Sequence, residues 1–329
     1  MPPLFTIGIT TYDRPEMLRE CLKSLINQTF TDFEVIIGND YIKQHINLND
    51  LDIHDKRIRI INHERNLGEI KNMNYLLSVS SGKYFTWIAD DDAYSSIFLE
   101  SINQALKKFG SQPAIFTSYF MDKNCPENYD LNLPDANFRF MKGNDFLVKY
   151  LKKEIKLLGC CGVFDRKYLN KIGGMIQLGT GFSPYSDNIL AIKSGALENI
   201  VYINHPLIFF RGHEQSISFT SIEIKPYISA QKEFLPICME IFNHEKLKKY
   251  FDSNLYYILK WYIKDFFSVV RRSGKIYFLA IISFTFFILK KSSRIKSKTY
   301  RRNLRRELFS SIYRQTKLFI KNEILTRNI

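Results

Sequence analysis

Three short polar clusters lie where α/β proteins do their chemistry, each directly after an apolar run that reads as a buried strand. Thr11–Arg14 follows Leu4–Thr10, Asn39-Asp40 follows Phe33–Gly38, and Asp90-Asp91-Asp92 follows Lys83–Ala89. In open α/β sheets, ligands bind beyond the carboxyl ends of the strands, where loops converge. Chance places one acid so; three clusters in succession point to a site. Consecutive aspartates repel one another, and a hard divalent cation, Mn²⁺ or Mg²⁺, neutralises them while keeping positions for phosphate oxygens. An ion held there would offset the charge that grows on a departing diphosphate. The competing reading is a solvated loop that sets acids at the start of the next helix; the strand-end position favours metal.

The elements that must carry these clusters alternate. Pro15 opens a helix whose Leu18, Cys21, Leu22, Leu25 and Ile26 repeat at helical spacing. Arg57–Ile61 is a third strand, a helix runs from Gly68 to about Val79, another covers Ser95–Phe109, and Ala114–Tyr119 is a further strand. This repetition predicts the α/β class, a mostly parallel sheet with helices on both faces. The pattern loosens between about 120 and 155 around Pro126 and Pro134. A second cluster follows: Leu157–Phe164, the Gly173-Gly174 turn, Ser183–Ser194, Ile200–Ile203, and Leu207–Phe210 leading into Arg211-Gly212-His213.

A hydrophobic content of 45% over 329 residues excludes a disordered chain. The five cysteines, Cys21, Cys125, Cys160, Cys161 and Cys238, form no C-x-x-C pair and read as reduced thiols, not a disulfide frame or zinc site. The opening Met-Pro-Pro-Leu-Phe lacks a signal-peptide layout, so a cytoplasmic protein is expected. The net charge of +14 belongs almost wholly to residues 221–329; the first 220 are near neutral. Such a tail should meet something anionic, lipid headgroups or nucleic acid.

With these motifs in view, the chain resembles an inverting family-2 glycosyltransferase of the GT-A fold, a Rossmann-like sheet, of the bacterial surface-polysaccharide type. The resemblance rests on TIGITTYDRPEMLRECLKSLINQTFTDFEVIIGND, NLGEIKNMNYLLSVSSGKYFTWIADDD, SDNILAIKSG and FFRGHEQSIS, in the family's order, and covers about residues 4–220. It implies a nucleotide-sugar donor held by Thr11, Tyr12, Asp13, Arg14, Asp40, Asn66, Asp90 and Asp91, with UDP the commonest nucleotide. Asp13 stands where members often have Asn, and Asn39-Asp40 replaces the commoner Asp-Asp. The resemblance places the metal on Asp92, with Asp91 and His213 as further ligands, and sets Arg211 near the diphosphate.

Inversion needs a base that takes the acceptor hydroxyl's proton opposite the leaving group. The family's place for it falls on Asp187, whose bland alternative is a helix cap. Gly159–Gly162 and Gly173-Gly174 resemble the acceptor-side loop. His45, His54, His63, His205 and His244 have no comparable context and read as structural or surface. The expected activity is sugar transfer in O-antigen or capsule (lipopolysaccharide-type) biosynthesis. A nucleotidyltransferase is the enzymatic alternative, though TTYDRP is not a glycine-rich triphosphate loop. Nucleic-acid binding through the basic tail is the non-enzymatic one; it lacks a recognition motif, so no nucleic-acid partner is expected.

These readings divide the chain into a transferase domain, 1–220, and a helical, aromatic, basic extension, 221–329. In the extension, Ile276–Leu289 is an apolar run flanked by Lys275 and Lys290-Lys291. As a helix it extends about 21 Å, short of the roughly 30 Å hydrocarbon core. Beyond it, Tyr300, Leu304, Leu308 and Ile312 recur every four residues among Arg301, Arg302, Arg305 and Arg306. That pattern predicts a basic amphipathic helix lying by its apolar face on anionic lipid. The expected location is the cytoplasmic face of the inner membrane, peripherally bound, where a lipid-linked saccharide acceptor is met.

Overall fold

Continuous apolar runs suit strands covered on both faces. The computed structural model, which describes residues 1–123, 137–158, 162–181, 183–213, 222–273 and 277–327 (side chains as far as Leu318), forms strands at those runs and two more, at Ala93–Tyr94 and at the largely exposed Phe138–Lys142, that the pattern does not mark. They are β1 (Phe5–Thr11), β2 (Phe33–Asn39), β3 (Ile58–Asn62), β4 (Tyr84–Ala89), β5 (Ala93–Tyr94), β6 (Ala114–Asp122), β7 (Phe138–Lys142), β8 (Gly162–Asp165) and β9 (Asn199–Arg211). The helices among them are α1 (Pro15–Ile26), α2 (Glu69–Ser78), α3 (Phe98–Phe109), α4 (Gly143–Lys152), α5 (Arg166–Lys171) and α6 (Ser186–Ser194). Four more follow: α7 (Ile224–Phe242), α8 (Phe251–Ser273), α9 (Phe278–Ser292) and α10 (Lys298–Arg327).

The chain divides into two compact units, Met1–Gln177 with Tyr185–Phe219, and Leu178–Pro184 with Thr220–Ile329. The first holds one nine-stranded sheet ordered β3-β2-β1-β4-β8-β6-β9-β5, with β7 also on β9. Strands β1, β2, β3 and β4 pair in parallel. Because β8 is antiparallel to both β4 and β6, and β9 is parallel to β6, strands β6 and β9 point the same way as β1. The sheet is therefore mostly parallel, as the alternating pattern requires, and β5, β7 and β8 run against it.

Register brings the ends of the first strands level: Thr11 pairs with Asn39, Asn39 with Asn62, and Thr10 with Ala89. Helix α1 buries Leu18, Cys21, Leu22 and Leu25. Helix α2 is pinned by Asn72, which donates to the Gly38 carbonyl (2.8 Å) and meets His63 Nε2 (2.9 Å). Only glycine fits beneath it, since a Cβ at Gly38 would lie 2.1 Å from Asn72 Oδ1. One difference from the sequence pattern concerns Ile200–Ile203 and Leu207–Phe210. They are a single strand, β9, whose ladder to β6 shifts register around Ser118 and Pro206. Proline has no N–H for the ladder, so the strand continues past it by an irregularity and not a break.

In the second unit, α8 packs against α7, α9 and α10. Phe284 of α9 stacks on Phe266 of α8 (ring centroids 4.0 Å apart), and Tyr300 of α10 stacks on Tyr256 (4.9 Å). Asp252 accepts the N–H groups of Lys296 (3.0 Å) and Ser297 (2.8 Å), fixing the entry to α10. Leu178–Pro184 belongs here, where Gly179 N–H donates to Glu233 (3.0 Å). The structure corrects the reading of Tyr300, Leu304, Leu308 and Ile312 as a lipid face: Leu304 and Leu308 are wholly buried. A stripe of leucines is equally served by lipid or by a neighbouring helix, and here the helices of its own unit cover it. No described helix is long and apolar enough to cross a membrane.

Candidate functional site

Strand β4 ends at Ala89 and delivers the three aspartates straight into the turn, where Asp92 N–H closes on the Ala89 carbonyl (3.2 Å). Arg14 and Arg211 each bridge two of them. Asp90, wholly buried, accepts from the Thr11 hydroxyl (2.6 Å) and forms a 2.5 Å ion pair with Arg14 Nη2, close but not aligned as a hydrogen bond. Asp91 Oδ2 receives Arg14 Nη1 (2.8 Å) and His213 Nε2 (2.8 Å). Asp92 accepts the backbone N–H of Arg211 at 3.1 Å. The Arg211 guanidinium donates through Nε to the Asp91 carbonyl (3.1 Å) and pairs with Glu20.

The loop after β1, the turn after β4 and the end of β9 therefore meet in one cluster. Of the sequence-predicted residues, Thr11, Arg14, Asp90, Asp91, Asp92, Arg211 and His213 are brought together. The proposed ligands Asp92, Asp91 and His213 do not converge into a cage, however. Among the described residues no group of three His, Cys, Asp or Glu side chains is placed to hold an ion between them. His213 is spent on Asp91, and Asp92 is turned to the β9 backbone.

Burial and charge set the acids' proton affinities. Desolvation pushes Asp90 up to about 6. The Arg14 charge and the hydrogen bonds from Thr11 and the Tyr12 N–H work against that rise, and Asp91 adds to it. Burial, then repulsion by Asp91 and Asp90, pushes Asp92 up, opposed by the Arg211 N–H and the Arg14 charge. Underneath, the buried Cys21 thiol is raised by burial and by all three aspartates. The corner holds more negative charge than its own cations neutralise.

Other predicted residues serve the loops around the cluster. Asp40 is buried, and its two carboxylate oxygens accept the N–H groups of Leu67 (2.7 Å) and Gly68 (2.8 Å), tying the end of β2 to the start of α2. Asn66 folds onto the same Gly68 N–H (2.8 Å). Tyr12 is half exposed and sets its ring edge-on to Tyr41, centroids 5.1 Å apart. Asp13 is exposed and holds a left-handed backbone (φ 56).

Asp187 lies in the first turn of α6 and is not its cap. Tyr185, itself left-handed (φ 77), occupies that place without a side-chain cap bond. Asp187 and the aspartate corner act on a common neighbour that sequence reasoning missed: Glu69, the first residue of α2. Its carboxyl is pushed up by desolvation from the atoms crowded around it and by Asp187, Asp91 and Asp90, with Arg14 opposing, although its surface stays open to solvent. Glu20, partner of Arg211, was missed as well. Both read in sequence as ordinary first-turn or helix-face acids. His63 is buried against Asn72 and Tyr75, a structural role as expected. Of the acceptor-side loop, Gly159, Cys160 and Cys161 lie outside the described residues; Cys21 and Cys238 are buried free thiols.

A family model described as glycosyl transferase family 2 matches residues 6–173. An uncharacterized glycosyltransferase of Haemophilus influenzae is 32% identical over 127 residues, 37% of this chain and 39% of that protein. Glycosyltransferase GlyG of Streptococcus pneumoniae is 26% identical over 154 residues, 46% of this chain and 48% of that one. The chain thus spans less than half the length of these curated relatives. Among solved structures, S. aureus TarS 1-349 superposes with a TM-score of 0.65 at 14% identity, over 98% of this chain and 92% of that one. The same protein in complex with UDP-GlcNAc gives 0.65 at 13% identity. At these identities the likeness is one of fold.

Proposed function

The chain belongs to glycosyl transferase family 2, and on that footing we propose that it moves a sugar from a nucleotide-diphosphate donor to an acceptor hydroxyl with inversion. The observation that carries this reading is the aspartate corner, where Thr11, Arg14, Arg211 and His213 surround three carboxylates at the carboxyl ends of β1, β4 and β9. Asp90 and Asp92 are both buried, and their proton affinity is raised by burial and by neighbouring negative charge, which a cation would offset; the oxygen-rich donor set fits Mn²⁺ or Mg²⁺. A corner without three converging ligands also fits, because such an ion is held by one or two carboxylates and completed by phosphate and water.

Asp92 is the proposed protein ligand, with Asp91 beside it. The ion would supply charge to the leaving diphosphate. Asp90, fixed by Thr11, holds Arg14 in place. Arg14 and Arg211 would orient the diphosphate, and the Tyr12 ring, half exposed, would offer a face to the base. Asp187 takes the proton of the acceptor hydroxyl at its carboxylate, in a site where its charge already helps to raise the proton affinity of Glu69. A UDP-sugar is the proposed donor class; the TarS structure of the same fold holds UDP-GlcNAc. A lipid-linked saccharide in O-antigen or capsule synthesis is the proposed acceptor, met at the cytoplasmic face of the inner membrane.

The test is donor turnover with Mn²⁺ against a chelated control. Asp187→Asn should lower kcat about 10²- to 10⁴-fold with little change in donor KM, the range for loss of a general base. Asp92→Asn should abolish the metal response. Transfer at the native rate by either variant would sink the assignment. Thermal-shift screening against nucleoside diphosphates identifies the nucleotide.

A further inference from the structure

The helical unit carries a surface that the transfer chemistry does not use. Helix α9 is apolar on two sides. Phe284 and Ile288 are buried, the former stacked on Phe266 of α8. On the opposite side Phe278 (68% exposed), Ile282 (39%) and Phe286 (69%) recur every four residues, Leu279 (81%) stands beside them, and Lys290 ends the row. A helix against water does not keep three such side chains in one row without a partner.

Helix α10 follows after a short turn. Lys298, Arg301, Arg302, Arg305 and Arg306 line a single concavity together with Phe309. Among the described residues no carboxylate pairs with Arg302, Arg305 or Arg306, and Glu307 lies on the other side, toward Tyr256. Phe309 and Tyr313 continue this cationic row, exposed. Both helices pack on α8 through their buried faces, so both rows turn away from it.

We propose that these two rows form a docking surface for an anionic bilayer. Phe278, Leu279, Ile282 and Phe286 enter the headgroup boundary, and the α10 cations bind lipid phosphates. The occupant follows from the combination. A polyanion such as RNA would satisfy the arginines and leave the α9 row in water. A zwitterionic bilayer would cover the α9 row and leave the cations without surplus negative charge. An anionic bilayer meets both. With 15 residues α9 is about 22 Å long, so it lies in the interface and does not span. The lipid face is thus not the leucine stripe of α10 but the opposite side of that helix joined to the outer side of α9. This surface stands apart from the transfer reaction and does not depend on it.

The experiment is flotation of the full chain with phosphatidylcholine vesicles, with and without phosphatidylglycerol, and a parallel titration with single-stranded RNA at equal phosphate. The chain is expected to float only with the anionic vesicles and to release as salt rises. The variant Arg302→Gln/Arg305→Gln/Arg306→Gln should bind about 100-fold more weakly, roughly fivefold for each cation lost near the surface. Phe278→Ser/Leu279→Ser/Phe286→Ser should lose at least about tenfold even at low salt, through lost apolar burial. These positions are exposed, so both variants should keep the native melting temperature, and a circular-dichroism melt checks this. Equal binding to both vesicle types, tighter binding to RNA than to anionic vesicles, or native flotation by either variant overturns the proposal. Transfer to a water-soluble acceptor reports on the site separately.

Discussion

Replacing Asp90 by Asn should make the protein more stable at neutral pH while crippling it as an enzyme. The folded carboxyl sits at about 6 against an ordinary 3.8. Across that window the folded state keeps a proton that the unfolded chain has released, so stability falls as pH rises from about 4 to 6 and stays low above. Keeping that carboxyl ionised in the fold at pH 7.5 costs about 3 kcal/mol. Asn carries no charge and removes this cost. Its carbonyl can still accept from Thr11, but its amide faces Arg14, which keeps Asp91, so about 2 kcal/mol should survive as net gain. For a unit of roughly 200 residues that is a rise of about 4–8 °C in Tm. Melts of both proteins in chelator at pH 7.5 and pH 5 test it. The gap should shrink by about two thirds at pH 5, where the native Asp90 is mostly protonated, and Mn²⁺ should narrow it at pH 7.5 by stabilising the native corner. A variant less stable than the native protein at pH 7.5, or a gap equal at both pH values, would refute the argument.

Three further expectations follow from the same structure. Asp40→Asn offers one acceptor where Leu67 and Gly68 need two, and should cost about 1–3 kcal/mol in urea unfolding; no loss would mean the β2–α2 tie is not made in solution. Asp13→Gly relieves a left-handed backbone and should add about 0.5–1 kcal/mol, while donor KM rises several-fold if the side chain contacts the nucleotide; an unchanged KM removes it from the site. Phe284→Ala opens the α8–α9 stack and should cost about 3–5 kcal/mol in the melting of the helical unit; a native melt would show that α9 does not pack there.

The aspartates, the loop after β1 and the parallel sheet were legible because they are written in neighbouring residues. A buried parallel strand needs a continuous apolar run, and the loop that follows it is where the acids stand. Asp40 was legible as a strand-end acid, but its attachment to Leu67 and Gly68, 27 and 28 residues away, was not. Glu69 gave no signal, because an acid opening a helix is ordinary whether or not Asp187 lies near it. The leucines of α10 misled, since their spacing says that a face is covered and not by what.

From sequence alone came the class of fold, the position of the carboxylate corner and the basic helical extension, which depend on periodicity, composition and order along the chain; the family came from the resemblance of whole motifs. Only tertiary structure decided the pairings: His213 on Asp91 across 122 residues, Arg211 on Asp92 across 119, and Arg14 between two aspartates. It also decided which side of each C-terminal helix is buried. Such choices depend on which distant surfaces meet and exclude water, and no local spacing records that.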